Sequence, residues 1–269
     1  MKLTAAAVQM SSGPDKGRNL EVAERLIRAA AARGADVVVL PEVFNWRGRR
    51  SDQEAAAEDL SGTTLTAMAR LAGELGLVLL AGSITERIPG QSKAYNTSVL
   101  LGPEGGMLGV YRKIHLFDVE LTGRVSTRES DVKVAGSEVV CASAGGATFG
   151  LSVCYDLRFP ELYRQLAQRG ATVITIPSAF TQPTGEAHWE VLVRARAIEN
   201  QVFVIAPGQF GPNVHGFSDY GNSMIVDPWG RVLARAGGDA EDVIAAALDF
   251  DELARVRREL PCLAHRRLF

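Results

Sequence analysis

Disulfide scaffolding is the first thing this chain lacks. Its 269 residues carry three cysteines, too few for a disulfide framework, and the odd count leaves at least one thiol free. A free thiol fits a reducing compartment. Histidine is nearly as scarce, with four, at positions 115, 188, 215 and 265. None stands in a His-x-x-x-His or Cys-x-x-Cys spacing that would hold a metal. Gly145-Gly146 and the other glycine pairs look like turns, because none forms a phosphate loop after a strand. Neither a metal nor a cofactor is therefore expected. A formal net charge of -2 offers no basic surface for nucleic acid, so a small molecule is the expected partner. No run approaches the roughly 18 apolar residues of a membrane span. The opening MKLTAAAVQM leads directly into a strand-like segment, without the long apolar stretch of a secretion signal. These absences together predict a cytoplasmic protein that engages neither membrane nor nucleic acid.

Apolar residues, by contrast, are plentiful and periodic. They make up 46% of the chain, enough for a large core. Leu3–Gln9 reads as a buried strand, and Gly17–Arg33 as a helix stopped by Gly34. The β-branched run Val37–Leu40 predicts a strand covered on both faces. Thr63–Leu75 reads as a second helix and Leu77–Ala81 as a third strand. Thr97–Leu101 and Met107–Tyr111 flank Gly102-Pro103-Glu104-Gly105, a hairpin pattern. The polar stretch from His115 to about Val132 has no clear period and reads as a long loop. A second series follows: strand Ala147–Val153, helix Pro160–Arg169, strand Val173–Ile176, helix Glu186–Glu199 and strand Val202–Ala206. Strands near Ser223–Val226, Val232–Ala234 and Val243–Leu248 and a helix over Asp251–Leu260 complete the pattern. With no linker and no break in composition, residues 1–269 read as one α/β layered domain.

Chemistry concentrates at strand ends. In Phe149-Gly150-Leu151-Ser152-Val153-Cys154 an apolar strand runs into a cysteine, and Pro160 opens a helix shortly after. A side chain at such a corner projects beyond the sheet edge, as serine hydrolases exploit. A buried, unreactive thiol is the other reading of that position. Val37-Val38-Val39-Leu40-Pro41-Glu42 sets a carboxylate beyond a second strand, and Gly109-Val110-Tyr111-Arg112-Lys113 an ammonium beyond a third. Parallel α/β sheets bind ligands beyond the C-terminal ends of their strands. Arg47, Arg49 and Arg50 read as a solvated loop near Glu42, while Cys141 and Cys262 have no partner pattern.

Leu40-Pro41-Glu42, Tyr111-Arg112-Lys113 with His115-Leu116, and Val153-Cys154-Tyr155-Asp156-Leu157-Arg158-Phe159-Pro160-Glu161 match, in order and spacing, the Glu–Lys–Cys triad of the nitrilase superfamily of carbon–nitrogen hydrolases. Pro177-Ser178-Ala179-Phe180, Thr184-Gly185-Glu186-Ala187-His188-Trp189-Glu190 and Asn222–Gly230 resemble its Nit branch, which holds deaminated-glutathione amidases and ω-amidases. The resemblance implies a four-layer α-β-β-α sandwich and subunits that pair as homodimers or larger oligomers.

It also implies roles for individual residues. Cys154 is the expected nucleophile, and Glu42 its general base. Lys113 and the Tyr155 backbone N–H are expected to stabilise the oxyanion, with a thioester at Cys154 as intermediate. Ser126-Thr127-Arg128-Glu129-Ser130 resembles the segment bearing a second glutamate, so Glu129 is expected to orient Lys113 or the substrate, with Glu120 as runner-up. The Arg158 fork suits a substrate carboxylate; an ion pair with Glu161 or Asp156 is its alternative. Phe180 and His188 are expected to shape the substrate pocket. The implied activity is hydrolysis of a small carboxylate-bearing amide, of the deaminated-glutathione or 2-oxoglutaramate type. Hydrolysis of an N-carbamoyl amine or a nitrile, or binding without catalysis, are the competing functions.

Overall fold

The computed structural model of the chain describes residues 1–123 and 125–268. Its first strand, β1 (Lys2–Gln9), buries Ala5, Ala6 and Ala7 completely. Helix α1 (Lys16–Ala32) begins where the Asp15 side chain accepts the Arg18 N–H, an N-cap that meets one of the helix's unpaired donors. Next come β2 (Val37–Val39), the single turn α2 (Gln53–Ala56), α3 (Thr63–Leu75) and β3 (Val78–Leu80). Helix α3 stops at Gly76, whose φ of +63° suits glycine best. Strands β4 (Ile84–Arg87), β5 (Ala94–Leu101) and β6 (Met107–Arg112) extend the same sheet, and β5 and β6 form the hairpin that the turn sequence predicts.

The segment expected to be a long loop is partly ordered as a hairpin. It holds β7 (Asp118–Leu121) and β8 (Val125–Arg128), which pair with each other as a two-stranded sheet, and a 3-10 turn over Glu129–Asp131. Each strand is four residues long and turns only two side chains inward, Val119 and Leu121 on β7 and Val125 and Thr127 on β8, too few for a period to stand out in the sequence.

The second sheet uses β9 (Cys141–Ala144), β10 (Ala147–Leu151), β11 (Val173–Thr175) and β12 (Phe203–Ala206). Helix α4 (Pro160–Gln168) links β10 to β11, and α5 (Gln182–Asn200) links β11 to β12. The latter starts four residues before the predicted Glu186, because Pro183 occupies a first-turn position where its missing N–H costs nothing. A small ribbon of β13 (Phe210–Pro212) and β14 (Ser218–Tyr220) precedes β15 (Met224–Val226) and β16 (Val232–Arg235). Strand β17 (Asp242–Asp249) returns to the first sheet, and α6 (Phe250–Glu259) follows it.

The first sheet runs β17-β1-β2-β3-β5-β4 with β6 also on β5; the second runs β16-β15-β12-β11-β10-β9. Period-two alternation decides what each strand touches. Val37 and Val39 face a cluster shared with Phe149, Leu151 and Ile205 of the second sheet. Val38 faces the other way, onto Ile27 of α1 and Met68 and Leu71 of α3. Leu166 of α4 and Trp189 and Val193 of α5 belong to the inter-sheet cluster's outer side. The layers are therefore helix, sheet, sheet, helix, as the resemblance implies.

Strand direction brings the chemistry to one edge. Strand β2 is parallel to β3, β3 antiparallel to β5, and β5 antiparallel to β6. Both β2 and β6 therefore release their chains, toward Glu42 and Lys113, at the same edge. Strand β10 is parallel to β11, so Cys154 and Ala179 leave the second sheet together.

Candidate active site

Glu42, Lys113 and Cys154 meet where the two sheets end. All three are nearly sealed from solvent, at 5%, 2% and 6% exposure. Lys113 Nζ donates to Glu42 Oε1 at 3.0 Å and to Glu129 Oε2 at 2.8 Å. The second Glu42 oxygen accepts the Ala179 N–H at 2.9 Å, which ties the carboxylate of one sheet to the backbone of the other. Behind Glu42, Gly82 (φ +39°) sits so close that an added Cβ would lie 2.0 Å from the Pro41 carbonyl oxygen. Val43, next in the chain, takes a φ of +46°, which a β-branched residue adopts only under constraint.

Cys154 is also strained, with φ +48°, and such outliers persist only where the surroundings hold them. Its N–H donates to the Pro177 carbonyl at 2.9 Å. The fully buried Asp156 fixes the turn after it. Asp156 accepts from Tyr111 Oη at 2.6 Å, from the Val153 N–H at 2.8 Å and from the His115 N–H at 3.1 Å. His115 Nδ1 lies 2.7 Å from the same carboxylate, and its ring stacks on Phe159 at 3.7 Å. The strands bearing the ammonium and the thiol are thereby held in one frame.

Burial pushes the Cys154 thiol well above its usual range, and the adjacent Glu42 charge adds to this, so the resting group is the neutral thiol. Burial alone would drag the Lys113 ammonium down, but Glu129 and Glu42 outweigh it and hold the group firmly protonated. Glu129 shows the converse: burial opposes its charge, and Lys113 more than compensates. The site thus offers a protonated nucleophile beside a carboxylate and a permanent positive charge, the parts that acyl transfer requires.

Other expected residues fall into two groups. Glu129 lies inside the site; it also accepts the Phe117 N–H at 2.7 Å. Glu120 is exposed on β7, bonded to Ser126, and lies away from the cavity. Tyr155, Arg158 and Phe180 line a narrow cleft that reaches Cys154, with Thr181 and Thr184. Arg158 pairs with neither Glu161 nor Asp156 among the described residues. Its guanidinium rests 5.0 Å from the Phe180 ring centre and 3.2 Å from His188 Nδ1. His188 is exposed and stands behind Arg158, outside both the cleft and the cavity described next, so it supports an arginine instead of forming pocket wall.

A larger cavity of about 160 Å³ also borders Cys154, lined by Glu42, Trp46, Gln53, Lys113, Glu129 and Lys133 among others. Three of its features escaped the sequence reading. Asn96, on β5, donates to Glu42 at 2.9 Å and to Glu129 at 3.1 Å, joining the two carboxylates. Arg47, expected in a solvated loop, is buried in an ion pair with Asp219. Lys133 is buried with its ammonium on Thr85 Oγ1 at 2.7 Å. The expected signals for these are weak, since each depends on register or on a partner far away in the chain.

Known proteins resemble this chain over nearly its whole length. A deaminated glutathione amidase of Synechocystis is 42% identical over 265 residues, covering 97% of each chain. The omega-amidase NIT2 of Xenopus tropicalis is 38% identical, covering 99% of this chain and 95% of its own. The crystal structure of the Caenorhabditis elegans NitFhit protein superposes with a TM-score of 0.93 at 36% identity, over 99% of this chain and 65% of that one. The carbon–nitrogen hydrolase family model matches residues 4–258. Two packed sheets, the strand-end chemistry and this full-length similarity agree, and the chain belongs to the carbon–nitrogen hydrolase family.

Proposed function

We propose that this enzyme hydrolyses a small linear amide whose acyl half bears a carboxylate, with Cys154 as nucleophile. The observation that carries the reading is the convergence of a buried thiol, carboxylate and ammonium from three strand ends, with Lys113 held 3.0 Å from Glu42 and 2.8 Å from Glu129.

Glu42 takes the thiol proton as Sγ bonds to the amide carbon. Lys113 and the Tyr155 N–H receive the negative charge that develops on the carbonyl oxygen; one such donor is commonly worth about 3–4 kcal/mol of barrier. The C–N bond then breaks, and the proton on Glu42 goes to the departing nitrogen, leaving a thioester at Cys154. Water loses a proton to Glu42 and attacks the thioester carbon. The acid departs, and Glu42 returns the proton to sulfur. Glu129 and Asn96 position Lys113 and Glu42. Arg158, half-buried and lacking a carboxylate partner among the described residues, suits the carboxylate of the acyl half. Deaminated glutathione is the first substrate choice and 2-oxoglutaramate the second, in keeping with the relatives' activities.

The reading extends to a cytoplasmic homodimer or larger oligomer. The three cysteines are free, as reducing surroundings would keep them. Val191 and Ile198, one face of α5, and Trp229 are 67%, 47% and 50% exposed, and exposed apolar clusters of this kind mark interfaces.

The test is mass spectrometry of enzyme quenched during turnover of ω-amides, with a nitrile and an N-carbamoyl amine as competitors. A covalent acyl adduct on Cys154, absent in Cys154→Ala, is expected. Undiminished hydrolysis by Cys154→Ala would end the reading.

A further inference from the structure

Among the described residues, two of the buried cations that the mechanism does not use, Arg47 and Arg196, are paired with carboxylates, whereas Lys133 is not. Lys133 is 6% exposed and lines the cavity beside Glu42, Glu129 and Cys154. Its backbone is anchored: its N–H donates to the Glu129 carbonyl at 2.9 Å, and its neighbours Val132 and Val134 pair with Ala94 on β5. Its ammonium donates to Thr85 Oγ1, and no carboxylate oxygen lies within 4.0 Å among the described residues. An ammonium carries three N–H donors, so Thr85 leaves two without an acceptor among the described residues. Burial drags its pKa from 10.5 to about 7, against the opposing pull of Glu129 and Glu42. A cation kept in the interior at such a cost marks a functional site when it faces a cleft.

The cavity's walls indicate which half of a substrate Lys133 meets. Arg158 lines the narrow cleft and not the cavity; Glu42 lines the cavity and not the cleft; Cys154 borders both. Glu42 hands its proton to the departing nitrogen. A substrate with its acyl carboxylate at Arg158 therefore extends its amine half past Glu42, into the cavity. Departing ammonia fills about one water's share of space, ~30 Å³, whereas the cavity is about 160 Å³. Trp46, Gln53 and Val132 supply walls for a longer group.

We infer that Lys133 is a specificity residue for the leaving amine: it binds a carboxylate at that amine's far end and so favours the dipeptide-releasing substrate over the primary amide. This rests on the amidase reading above and assigns the other half of its substrate.

The test compares two substrates with the same acyl half, γ-(2-oxoglutaryl)-alanylglycine and its C-terminal carboxamide. Wild-type enzyme should prefer the carboxylate by about 10–100-fold in kcat/KM, mostly through KM, as expected for a hydrogen-bonded charge pair. In Lys133→Met the preference should shrink to a few-fold, and Lys133→Arg should restore part of it. Wild-type enzyme that cleaves both peptides equally would overturn the inference while leaving the amidase reading intact. So would a Lys133→Met enzyme that keeps the full preference. Should Lys133→Met fail to fold, Lys133→Gln takes its place, because Arg47 and Arg50 line the same cavity and the wild-type ratio alone does not single out Lys133. If neither peptide nor 2-oxoglutaramate is cleaved and no acyl adduct forms on Cys154, the amidase reading itself falls, and this inference with it.

Discussion

Replacing Lys133 with methionine removes a buried charge at nearly constant length, and should make the protein more stable at neutral pH. The folded-state pKa is about 7 against an ordinary 10.5. Between those values the unfolded chain binds more protons than the folded one, so wild-type stability rises with pH through that window. Below pH 7 the full penalty applies, and above 10.5 it has gone. At about 1.4 kcal/mol per pH unit, the charged lysine costs the fold on the order of 5 kcal/mol at or below pH 7. Methionine forfeits the 2.7 Å bond to Thr85. The orphaned, buried hydroxyl takes back about 1–3 kcal/mol. A net gain of about 2–4 kcal/mol at pH 7 is expected, fading toward zero near pH 9.5. Urea denaturation of both proteins at the two pH values measures it, and effects of other titrating groups cancel in the difference. A variant less stable than wild type at pH 7, or a difference that ignores pH, would refute the reasoning.

Glu129→Gln keeps the shape of the group that accepts Lys113, Phe117 and Asn96 but removes its charge. Steady-state kinetics should show kcat lowered by about 10²–10³, with thermal stability little changed if the role is one of positioning. Asp219→Asn leaves the buried Arg47 without its counter-ion and should cost about 3–5 kcal/mol, read as a lowered urea midpoint. Gly82→Ala drives a methyl group against the Pro41 carbonyl. The folded variant, checked by circular dichroism, should lose at least about tenfold in kcat/KM, since a displaced catalytic carboxylate loses its alignment.

The proposed catalytic residues Glu42 and Cys154 were legible because each follows an apolar strand. Val37-Val38-Val39 before Glu42 and Phe149-Gly150-Leu151 before Cys154 announce both the strand and its end, and strand ends are where α/β sheets keep their sites. Asn96 was invisible for the opposite reason. It lies inside a strand, and its approach to Glu42 and Glu129 follows from the pairing of β4, β5 and β6, which sequence pattern does not reveal. The Arg47–Asp219 pair joins positions 172 residues apart, so the arginine looked like any surface charge. The β7–β8 hairpin turns only two side chains per strand inward, too short a run for its alternation to stand out. Lys133 comes soon after it, and no pattern in the sequence singled it out. The layered fold was legible as a class, but the odd-in, even-out division of Val37, Val38 and Val39 between two cores appears only when both neighbours are in place.

Strand β1 pairs along its whole length with β17, from Lys2 opposite Asp249 to Gln9 opposite Asp242. During synthesis the ribosome releases the first partner more than two hundred residues before the second. Throughout that interval the alanine-rich β1 stands as the open border of a growing sheet, the kind of uncharged edge that recruits strands from other chains. Glu42 and Lys113 grow from that same sheet, so the catalytic edge gains its final form only when the last strand arrives. Nascent chains stalled before residue 242 should therefore be inactive and dependent on chaperones, although Glu42, Lys113 and Cys154 have all been made.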